Sequence, residues 1–531
     1  MSKKHDPLDM SNYRVDKLPQ RQKSGFEQHM ERVGGPVALL VFLFLLFGSN
    51  LAFLEQIDPN ILSSNAANRF NEFGAAEFAK ANTAMLAIFV AAIILWITEA
   101  IPNYVTSLLV IVSLVLTNVL PEKQAYAQLG HPVMWLNILS FILASMLVKT
   151  EVARRFAIWF IVRFGKNTTS VIGSFIFINL VLSMFISATT AKATILLPIF
   201  MVIAAVFGAT GGENKNNFGR NLILQNLYQI NITAGGFITG SGANLLAGAL
   251  IAGALMWEQD FEYYRWMEVA LPLAILNIGI GWFVGSRIFF RVSREESVPQ
   301  IQGGLDRLRE ELVAMGKIKF EEYKAVAIFL GVLGLWVTDT HHGISKTSVA
   351  FIGAVVALLP SIGIVKWNDV DIPWHLMLFS AGAYTLGAGF SVTDLPNITV
   401  NSAFNTLGFS NQSPFWVLFV TLTGMMIFSS LIFQSKTMRT LVFVPIAIGT
   451  AQRFGYPILS LALPVALLIE HVYALPFNSK PAALLYVTDQ YSWRDTAKFG
   501  ITMLFVAWAM IIFWGETWMR WLGYLPNGVF G

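Results

Sequence analysis

The chain has no cysteine and little charge. None of its 531 residues is cysteine, which excludes disulfide bonds and thiolate chemistry. Charged residues make up only 13% of the chain, and a net charge of +4 is too small to indicate nucleic-acid binding. The seven histidines lack the spacing of a metal-dependent hydrolase, and no nucleophile with a base and an orienting acid stands out. We therefore predict no enzymatic activity and no cofactor.

Apolar residues dominate instead, at 55% of the chain with a mean hydropathy of +0.59, which is more than a soluble protein can bury. This composition predicts an all-α integral membrane protein in contact with the lipid bilayer. Apolar windows of spanning length predict about eleven transmembrane spans: 36–54, 85–103, 105–120, 171–207, 221–252, 268–290, 325–340, 346–364, 414–450, 454–475 and 498–524.

Two further apolar stretches, 133–149 and 373–392, contain polar residues or glycines that break the apolar pattern. The first is interrupted by Asn137 and Ser140, and the second by Gly382 and by Gly387–Gly389. Irregular backbone at membrane depth is tolerated only where protein or a cavity covers it. We therefore predict a re-entrant hairpin in each stretch.

Lysine and arginine concentrate in an N-terminal tail, 1–35, and in a linker, 291–322. These residues are Lys3, Lys4, Arg14, Lys17, Arg21, Lys23 and Arg32 in the tail, and Arg291, Arg294, Arg307, Arg309, Lys317 and Lys319 in the linker. The positive-inside rule makes both segments cytoplasmic. The run 36–54 lacks a cleavage site and is predicted to be a retained span. The prediction is a plasma-membrane protein, in bacteria the inner membrane, with its N-terminus in the cytoplasm.

The two halves of the chain repeat each other. Leu95–Glu99 recurs as Leu335–Asp339, Trp135 is matched by Trp374, and further matches follow at a nearly constant spacing. Five crossings per repeat is an odd number, so the second copy enters the membrane from the opposite side. This pattern predicts two inverted-topology repeats, an architecture common among secondary transporters.

Two matching stretches place cations inside apolar runs. The first carries Thr189, Thr190 and Lys192, and the second carries Ser435, Lys436, Thr437 and Arg439. The runs 171–207 and 415–450 are too long for one span of about 20 residues and too short for two, which predicts a broken helix in each. A charge in hydrocarbon is costly, and helix N-termini attract anions. The pattern therefore predicts a site for a small multivalent anion.

In these motifs the chain resembles the divalent anion:sodium symporter (DASS) family, from about residue 86 to residue 522. Thr98–Pro102, after Trp96, is close to the family signature. The family has a Ser-Asn-Thr motif at the break of a helix in each repeat, and a Gly-Thr-Pro-Pro-Asn-like turn in the next span. The matching positions, none of them intact, are Ala188–Thr190, Ser435–Thr437, Gly240–Asn244 and Asn478–Ala482.

The resemblance implies that these positions bind the anion and, in sodium-coupled members, also sodium. The implied substrate-binding residues are Thr189, Thr190, Lys192, Ser435, Lys436, Thr437, Arg439, Ser241, Asn244, Asn478, Ser479 and Lys480. Ser435, Thr437, Ser241 and Asn244 retain oxygens of a sodium site. However, two like charges about 4 Å apart repel by roughly 4 kcal/mol at a dielectric near 20, so these cations disfavour Na⁺. The chain thus resembles the sodium-independent exchanger branch, which also carries a basic residue just after a motif.

The family resemblance further implies a homodimer that works by elevator movement. The scaffold would comprise 36–130 and 258–370, and the transport parts 131–257 and 371–531, including a last span of uncertain assignment. Unpaired buried cations would oppose movement of an empty carrier, which predicts obligate exchange of one anion for another. Dicarboxylates are the first predicted substrates on family grounds, with sulfate or phosphate next.

Several alternatives stay open at this stage. Lys192 and Arg439 are also compatible with surface turns whose side chains reach the interface. Glu470 and His471 form a candidate proton-coupling pair, although a structural pair is an equal reading. A Na⁺- or H⁺-coupled anion symporter is the second transport hypothesis. An anion-binding membrane sensor is the alternative from another functional class.

Overall fold

The computed structural model describes residues 8–13, 25–49, 51–55, 57–59, 62–165, 167–212, 215–255, 262–301, 304–406, 413–433 and 435–531. Regular secondary structure in these residues is helical. Most of the predicted cytoplasmic tail, including Lys3, Lys4, Arg14, Lys17, Arg21 and Lys23, lies outside the described residues. Within the predicted linker, residues 304–314 form a helix.

The α-helices are numbered in chain order. The first twelve are α1 (Gly25–Leu43), α2 (Ala52–Glu55), α3 (Ser64–Thr98), α4 (Asn103–Leu116), α5 (Glu122–Ala127), α6 (Pro132–Lys149), α7 (Val152–Phe164), α8 (Thr168–Phe185), α9 (Thr189–Val206), α10 (Asn217–Gly235), α11 (Gly242–Ala254) and α12 (Tyr263–Phe283). The others are α13 (Gly304–Ala314), α14 (Phe320–Val337), α15 (Asp339–His342), α16 (Lys346–Leu358), α17 (Trp374–Thr393), α18 (Leu395–Thr406), α19 (Phe415–Phe428), α20 (Lys436–Phe454), α21 (Ile458–Leu467), α22 (Lys480–Tyr486) and α23 (Trp493–Trp514).

Seven helical stretches in the described residues are long and apolar enough to cross a membrane, and six further apolar helices have 10–17 residues. Helices satisfy their backbone hydrogen bonds internally, which is the requirement that hydrocarbon imposes on a spanning chain. The predicted all-α membrane fold is confirmed.

Each of the two stretches predicted to be a re-entrant hairpin forms one helix, α6 or α17, without the interruption that the sequence predicts inside it. Asn137, one of the predicted interruptions, stays inside α6, where its Nδ2 donates to Val133 O at 3.1 Å. A turn and a second helix, α7 or α18, follow each of them, and re-entrance of these hairpins into the membrane stays a prediction. The chain turns one or two residues after each helix, at Glu151 and Asp394, which both have a positive φ.

The helix breaks fall where the sequence predicts them. One gap separates α8, ending at Phe185, from α9, and a second separates α19 from α20, which begins at Lys436. Two further gaps separate α10 from α11 and α21 from α22, and the predicted family turns begin in these gaps and continue into the first turns of α11 and α22. The structure thus brings four irregular segments into an apolar protein, and each leaves backbone groups that need partners.

Serine residues cap three of the four restarting helices. Ser241 Oγ accepts from Asn244 N at 3.3 Å, Ser435 Oγ from Met438 N at 3.4 Å, and Ser479 Oγ from Ala482 N at 3.3 Å. Each hydroxyl satisfies a free N–H group of the first helical turn. The equal roles of Ser241 and Ser479 agree with the correspondence of the two turns in the sequence.

Helix packing encloses these breaks. α10 lies against α8, α9 and α12, and α20 lies against α11, α18 and α21. A second group of helices consists of α3, α4 and α17, each of which contacts the other two. A buried ion pair joins α7 to α14, with Arg155 Nε 2.6 Å from Glu322 Oε2. The breaks are therefore held inside a continuous helical core.

Gly240 lies between α10 and α11, in close contact with the backbone of Ala234, and this contact predicts the effect of replacing it. A Cβ atom at Gly240 would lie 2.1 Å from Ala234 O, whereas a Cβ at Gly253 would meet nothing within 4 Å. We expect Gly240→Ala to lower the free energy of unfolding by about 1–3 kcal/mol because backbone must move. Gly253→Ala, in α11, is the matched control and should leave stability unchanged or raise it by up to about 1 kcal/mol. Thermal unfolding in detergent measures both, and equal stability of the two variants would contradict the expectation.

Candidate functional site

The N-termini of α9 and α20 meet at Lys436. Lys436 Nζ lies 3.4 Å from Thr189 Oγ1 and 3.3 Å from Asn231 Oδ1, and it forms an ion pair with Glu470 Oε2. Thr189 begins α9, Asn231 belongs to α10, and Glu470 lies in the break between α21 and α22. One ammonium group thus touches residues of both halves of the chain.

Glu470 connects Lys436 to the break between α10 and α11. Its Oε1 atom accepts a hydrogen bond from Ser241 Oγ at 2.5 Å, while Oε2 faces Lys436. Glu470 is 1% exposed, whereas the side chain of Lys436 keeps 14% of its surface exposed, so the pair is buried on the side of the carboxylate. We call Thr189, Asn231, Ser241, Lys436 and Glu470 the tip junction, because all four broken regions contribute to it or flank it.

Lys192 donates its hydrogen bonds to residues of its own half. It is fully buried, and its Nζ donates to Ser183 Oγ at 2.6 Å and to Ile230 O at 3.1 Å. Ser183 Oγ in turn donates to Thr233 Oγ1 at 2.6 Å. Lys192 therefore ties α9 to α8 and α10.

Arg439 plays the corresponding role in the second half. It is also fully buried, with Nε 3.0 Å from Ser429 Oγ and Nη1 3.1 Å from Ile469 O. Nη2 donates to Met426 O and, at 3.4 Å, to Leu468 O. The guanidinium group thus satisfies carbonyl oxygens that the breaks after α19 and α21 leave free.

These contacts decide two points left open by the sequence. Lys192 and Arg439 do not reach the protein surface, so the reading as interfacial turns is wrong for both. The expectation that the cations lack partners without a substrate is also wrong, because irregular backbone supplies carbonyl acceptors and Glu470 supplies a counter-charge.

The other predicted residues occupy different places. Asn478 Nδ2 donates to Ser430 O at 2.5 Å, and its Oδ1 accepts from Leu475 N at 2.6 Å, so it braces the second turn. Asn244 Nδ2 donates to Ala234 O and Phe237 O, both at 3.1 Å, and stabilises the turn between α10 and α11. Among the described residues, Asn244 Oδ1 is buried without a hydrogen-bond partner.

Ser435 and Thr437 are half-buried on either side of Lys436. The ring of His471 is directed to Tyr473, with Nδ1 3.0 Å from Tyr473 OH. The structure therefore places Glu470, but not His471, at the tip junction.

Thr190 and Lys480 line a separate cavity of about 930 Å³. Ala188 and His375 line it too, and Lys149 lies along it in an ion pair with Asp369, Nζ to Oδ2 2.8 Å. Lys480 is exposed there, whereas Thr190 is half-buried. The cavity runs along the start of α9, next to Thr189 of the tip junction.

Sequence reasoning missed Asn231, Ser183 and Thr233. The available signal is the row of polar residues along α10, where Asn226, Gln229 and Asn231 are all buried. Polar side chains in an otherwise apolar span are costly unless they have partners. A list of the polar residues of α10 would have found Asn231 and Thr233, whereas Ser183 lies in α8.

Comparison with known proteins gives the family of the chain. Residues 75–525 match the model of the sodium:sulfate symporter transmembrane region. A membrane protein of Cupriavidus necator is 24% identical over 462 residues, covering 83% of this chain and 88% of its own length. Proteins of Staphylococcus saprophyticus and Staphylococcus aureus, both named sodium-dependent dicarboxylate transporter SdcS, are each 26% identical and cover 78% of this chain and 82% of their own.

Three observations indicate the same family. They are the helical membrane fold, the helix breaks at the predicted motif positions, and the match to the family model over most of the chain. The chain is therefore an integral membrane protein that belongs to the sodium:sulfate symporter family, the DASS family of its motifs, which is a family of membrane transporters.

Proposed function

We propose that this protein is a secondary active carrier of small multivalent anions that works without sodium. The observation that carries the proposal is Lys436, whose ammonium group stands where the N-termini of two broken helices meet. Helix N-termini present free N–H groups and a positive dipole end, so a fixed cation there strengthens an anion site.

The charges around the tip junction favour a doubly charged anion. Lys192, Lys436 and Arg439 are positive and Glu470 is negative, and Lys192 and Arg439 are near enough to Glu470 to interact with its charge. These four groups leave two positive charges, which a dicarboxylate or sulfate would neutralise. Dicarboxylates are the first proposed substrates, since two relatives are named as transporters of them, and sulfate or phosphate comes next.

The structure suggests different tasks for the proposed binding residues. In this proposal the anion is contacted directly by Thr189, Ser435, Lys436 and Thr437, together with the caps Ser241 and Ser479. The contact of Lys436 Nζ with Thr189 Oγ1 at 3.4 Å supports this assignment. The donors of Lys192 and Arg439 are occupied by protein acceptors, so these two residues act through their charge and by holding the tips. Thr190 and Lys480 line the proposed entry cavity.

The finer architecture also belongs to the proposal. The two halves would be inverted repeats, with scaffold parts 36–130 and 258–370 and transport parts 131–257 and 371–531, in a homodimer that moves by an elevator mechanism. The matching order of breaks in α8–α11 and α19–α22 supports the repeat. The protein would lie in the plasma membrane with its N-terminus in the cytoplasm.

Exchange of one anion for another is the proposed mode, because the buried charge of the tip junction is best balanced when an anion is bound. Sodium is disfavoured because a cation about 4 Å from Lys436 would be repelled by roughly 4 kcal/mol. Exchange is not proposed to be obligate, because Lys436 has a partner in Glu470 without any bound anion.

Cation-coupled symport is the second candidate. The observation in its favour is Asn244 Oδ1, a buried oxygen that has no hydrogen-bond partner among the described residues and that suits a cation ligand. Ser241, the neighbouring candidate ligand, is already engaged by Glu470.

Uptake of labelled succinate and sulfate into proteoliposomes tests the proposed function. We expect uptake of at least one of the two in potassium medium, with no increase on adding sodium, and faster uptake when the vesicles contain unlabelled anion. Thermal unfolding with each anion, with and without sodium, gives the binding result independently. Uptake or anion stabilisation that requires sodium would instead establish the second candidate.

Replacing Lys436 tests its direct role. We expect Lys436→Asn to weaken binding of the transported anion roughly tenfold to a hundredfold, because a charge-assisted contact is lost. The variant should also lose about 3–5 kcal/mol of stability, since Glu470 stays buried without its partner. Lys436→Asn combined with Glu470→Gln should recover the stability but not the binding.

Lys215→Asn is the matched control for this experiment. Lys215 Nζ lies 2.6 Å from Asp489 Oδ1, but that pair is open to solvent and far from the helix tips along the chain. Its loss should cost at most about 1 kcal/mol and leave anion binding unchanged. Unaltered affinity in the Lys436→Asn protein would contradict a direct role of Lys436.

A further inference from the structure

An apolar cavity of about 380 Å³ lies between helices of the membrane part of the protein. Its walls include Phe89 on α3, Val400 on α18, Leu422 on α19, and Leu441 and Pro445 on α20. We call it the α20 cavity. Pockets that bind small ligands have volumes of about 300–1,000 Å³ and mostly apolar walls. The fold thus leaves room for an apolar ligand beside α20.

The α20 cavity is poorly suited to water. Among the described residues that line it, the polar side chains are those of Thr399, Thr421 and Thr450, and Thr450 Oγ1 donates to Ile446 O at 2.8 Å within its own helix. A buried water needs about two to four polar partners, and apolar cavities stay dry. An unfilled cavity, in turn, loses the dispersion contacts of the atoms that line it. An apolar ligand therefore fits this space better than water does.

The opening of the cavity lies on a surface that faces lipid. Thr421 and Met425, one turn apart on α19, both line the cavity and are exposed, Met425 by 46%. Leu418 and Leu422, on the inner face of the same helix, line it too and are buried. α19 is an apolar helix whose Trp416 is also exposed, and in a membrane protein such a surface contacts hydrocarbon. The ligand that these surroundings supply is the acyl chain of a lipid.

The backbone of α20 is weakened where the helix meets the cavity. Pro445 has no N–H group, so it cannot make the helical hydrogen bond to Leu441 O. Both residues line the cavity, and Lys436 and Arg439 lie in the first turn of the same helix. Apolar contacts in the cavity would therefore support α20 at the place where its own hydrogen bonds are interrupted.

We propose that the α20 cavity binds one acyl chain of a membrane lipid, which enters from the bilayer past Thr421 and Met425 and packs against Leu441 and Pro445. The lipid thereby becomes a ligand of the helix that carries Lys436. Binding consists of hydrophobic and dispersion contacts, and no covalent bond is made or broken. The cavity takes the acyl chain whatever anion the protein carries, so the site is separate from that of the proposed function.

Photolabelling from the lipid tests the proposal on the unaltered, full-length protein. The probe is a phosphatidylcholine with a diazirine at the end of one acyl chain, mixed into phosphatidylcholine proteoliposomes, and mass spectrometry locates the label. We expect label on Leu418, Leu422 and Leu441, although the protein buries all three. Label that is confined to exposed residues such as Met425 would overturn the proposal.

α23 supplies a control within the same experiment. Phe505 on this helix is 54% exposed, whereas its neighbour Leu504 is fully buried. Phe505 should be labelled because it faces the lipid, and Leu504 should not be labelled because it faces the protein core. Label on Leu422 must therefore exceed label on Leu504, and equal labelling of the two would contradict entry of an acyl chain into the cavity.

Filling the cavity gives a second measurement. Val442→Trp combined with Thr421→Phe places larger aromatic side chains within the cavity and at its opening. We expect label on Leu418 and Leu441 to fall to the level of Leu504, because the acyl chain loses its space. Label on the two residues that persists at the level of the unaltered protein would overturn the proposal.

Ile275→Trp is the matched control for the filled variant. Ile275 is 49% exposed on α12 and lies outside the cavity, so the change adds a tryptophan to the surface alone. This variant should keep the labelling pattern of the unaltered protein. The labelling of the unaltered protein decides the proposal by itself if the filled variant does not fold. Anion uptake takes no part in these measurements, so the proposed function is tested separately.

Discussion

The buried pair of Lys436 and Glu470 is the interaction on which the centre of this protein depends. It joins the start of α20 to the break between α21 and α22, and its neighbours Thr189 and Ser241 bring in the other two breaks. A buried ion pair adds little net stability relative to apolar side chains, but losing one partner is costly. The pair therefore fixes which segments meet rather than how stable the protein is.

Broken helices create a second constraint, since each break leaves carbonyl oxygens in an apolar core. Arg439 satisfies oxygens of Met426, Leu468 and Ile469, and Lys192 satisfies that of Ile230. In both cases the cation replaces water as the donor, which hydrocarbon surroundings require. Lys192 and Arg439 thus serve the backbone directly.

Under the proposed function, the same geometry gives a physical reason for sodium independence within a family named for sodium coupling. A fixed ammonium group at the tip junction supplies the positive charge that a bound cation would otherwise bring. Glu470 pairs with Lys436 in the structure, so Lys436 has a counter-charge within the protein.

Composition and local pattern were enough to predict the helical membrane fold and the restarts of helices near Thr189 and Lys436, because apolar length and motif position are properties of short segments. They predicted interruptions inside the stretches 133–149 and 373–392, whereas each of these stretches forms one helix, within which Asn137 donates to a backbone carbonyl of its own helix. They also pointed to His471 beside Glu470, whose ring in fact faces Tyr473.

The sequence by itself determined that cations would lie within the apolar core near helix breaks. Only the tertiary structure decided their partners, because Glu470 lies 34 residues from Lys436 and 229 from Ser241 along the chain. Whether a buried lysine waits for a substrate or pairs with a carboxylate depends on how distant helices pack, and no local pattern of residues contains that information.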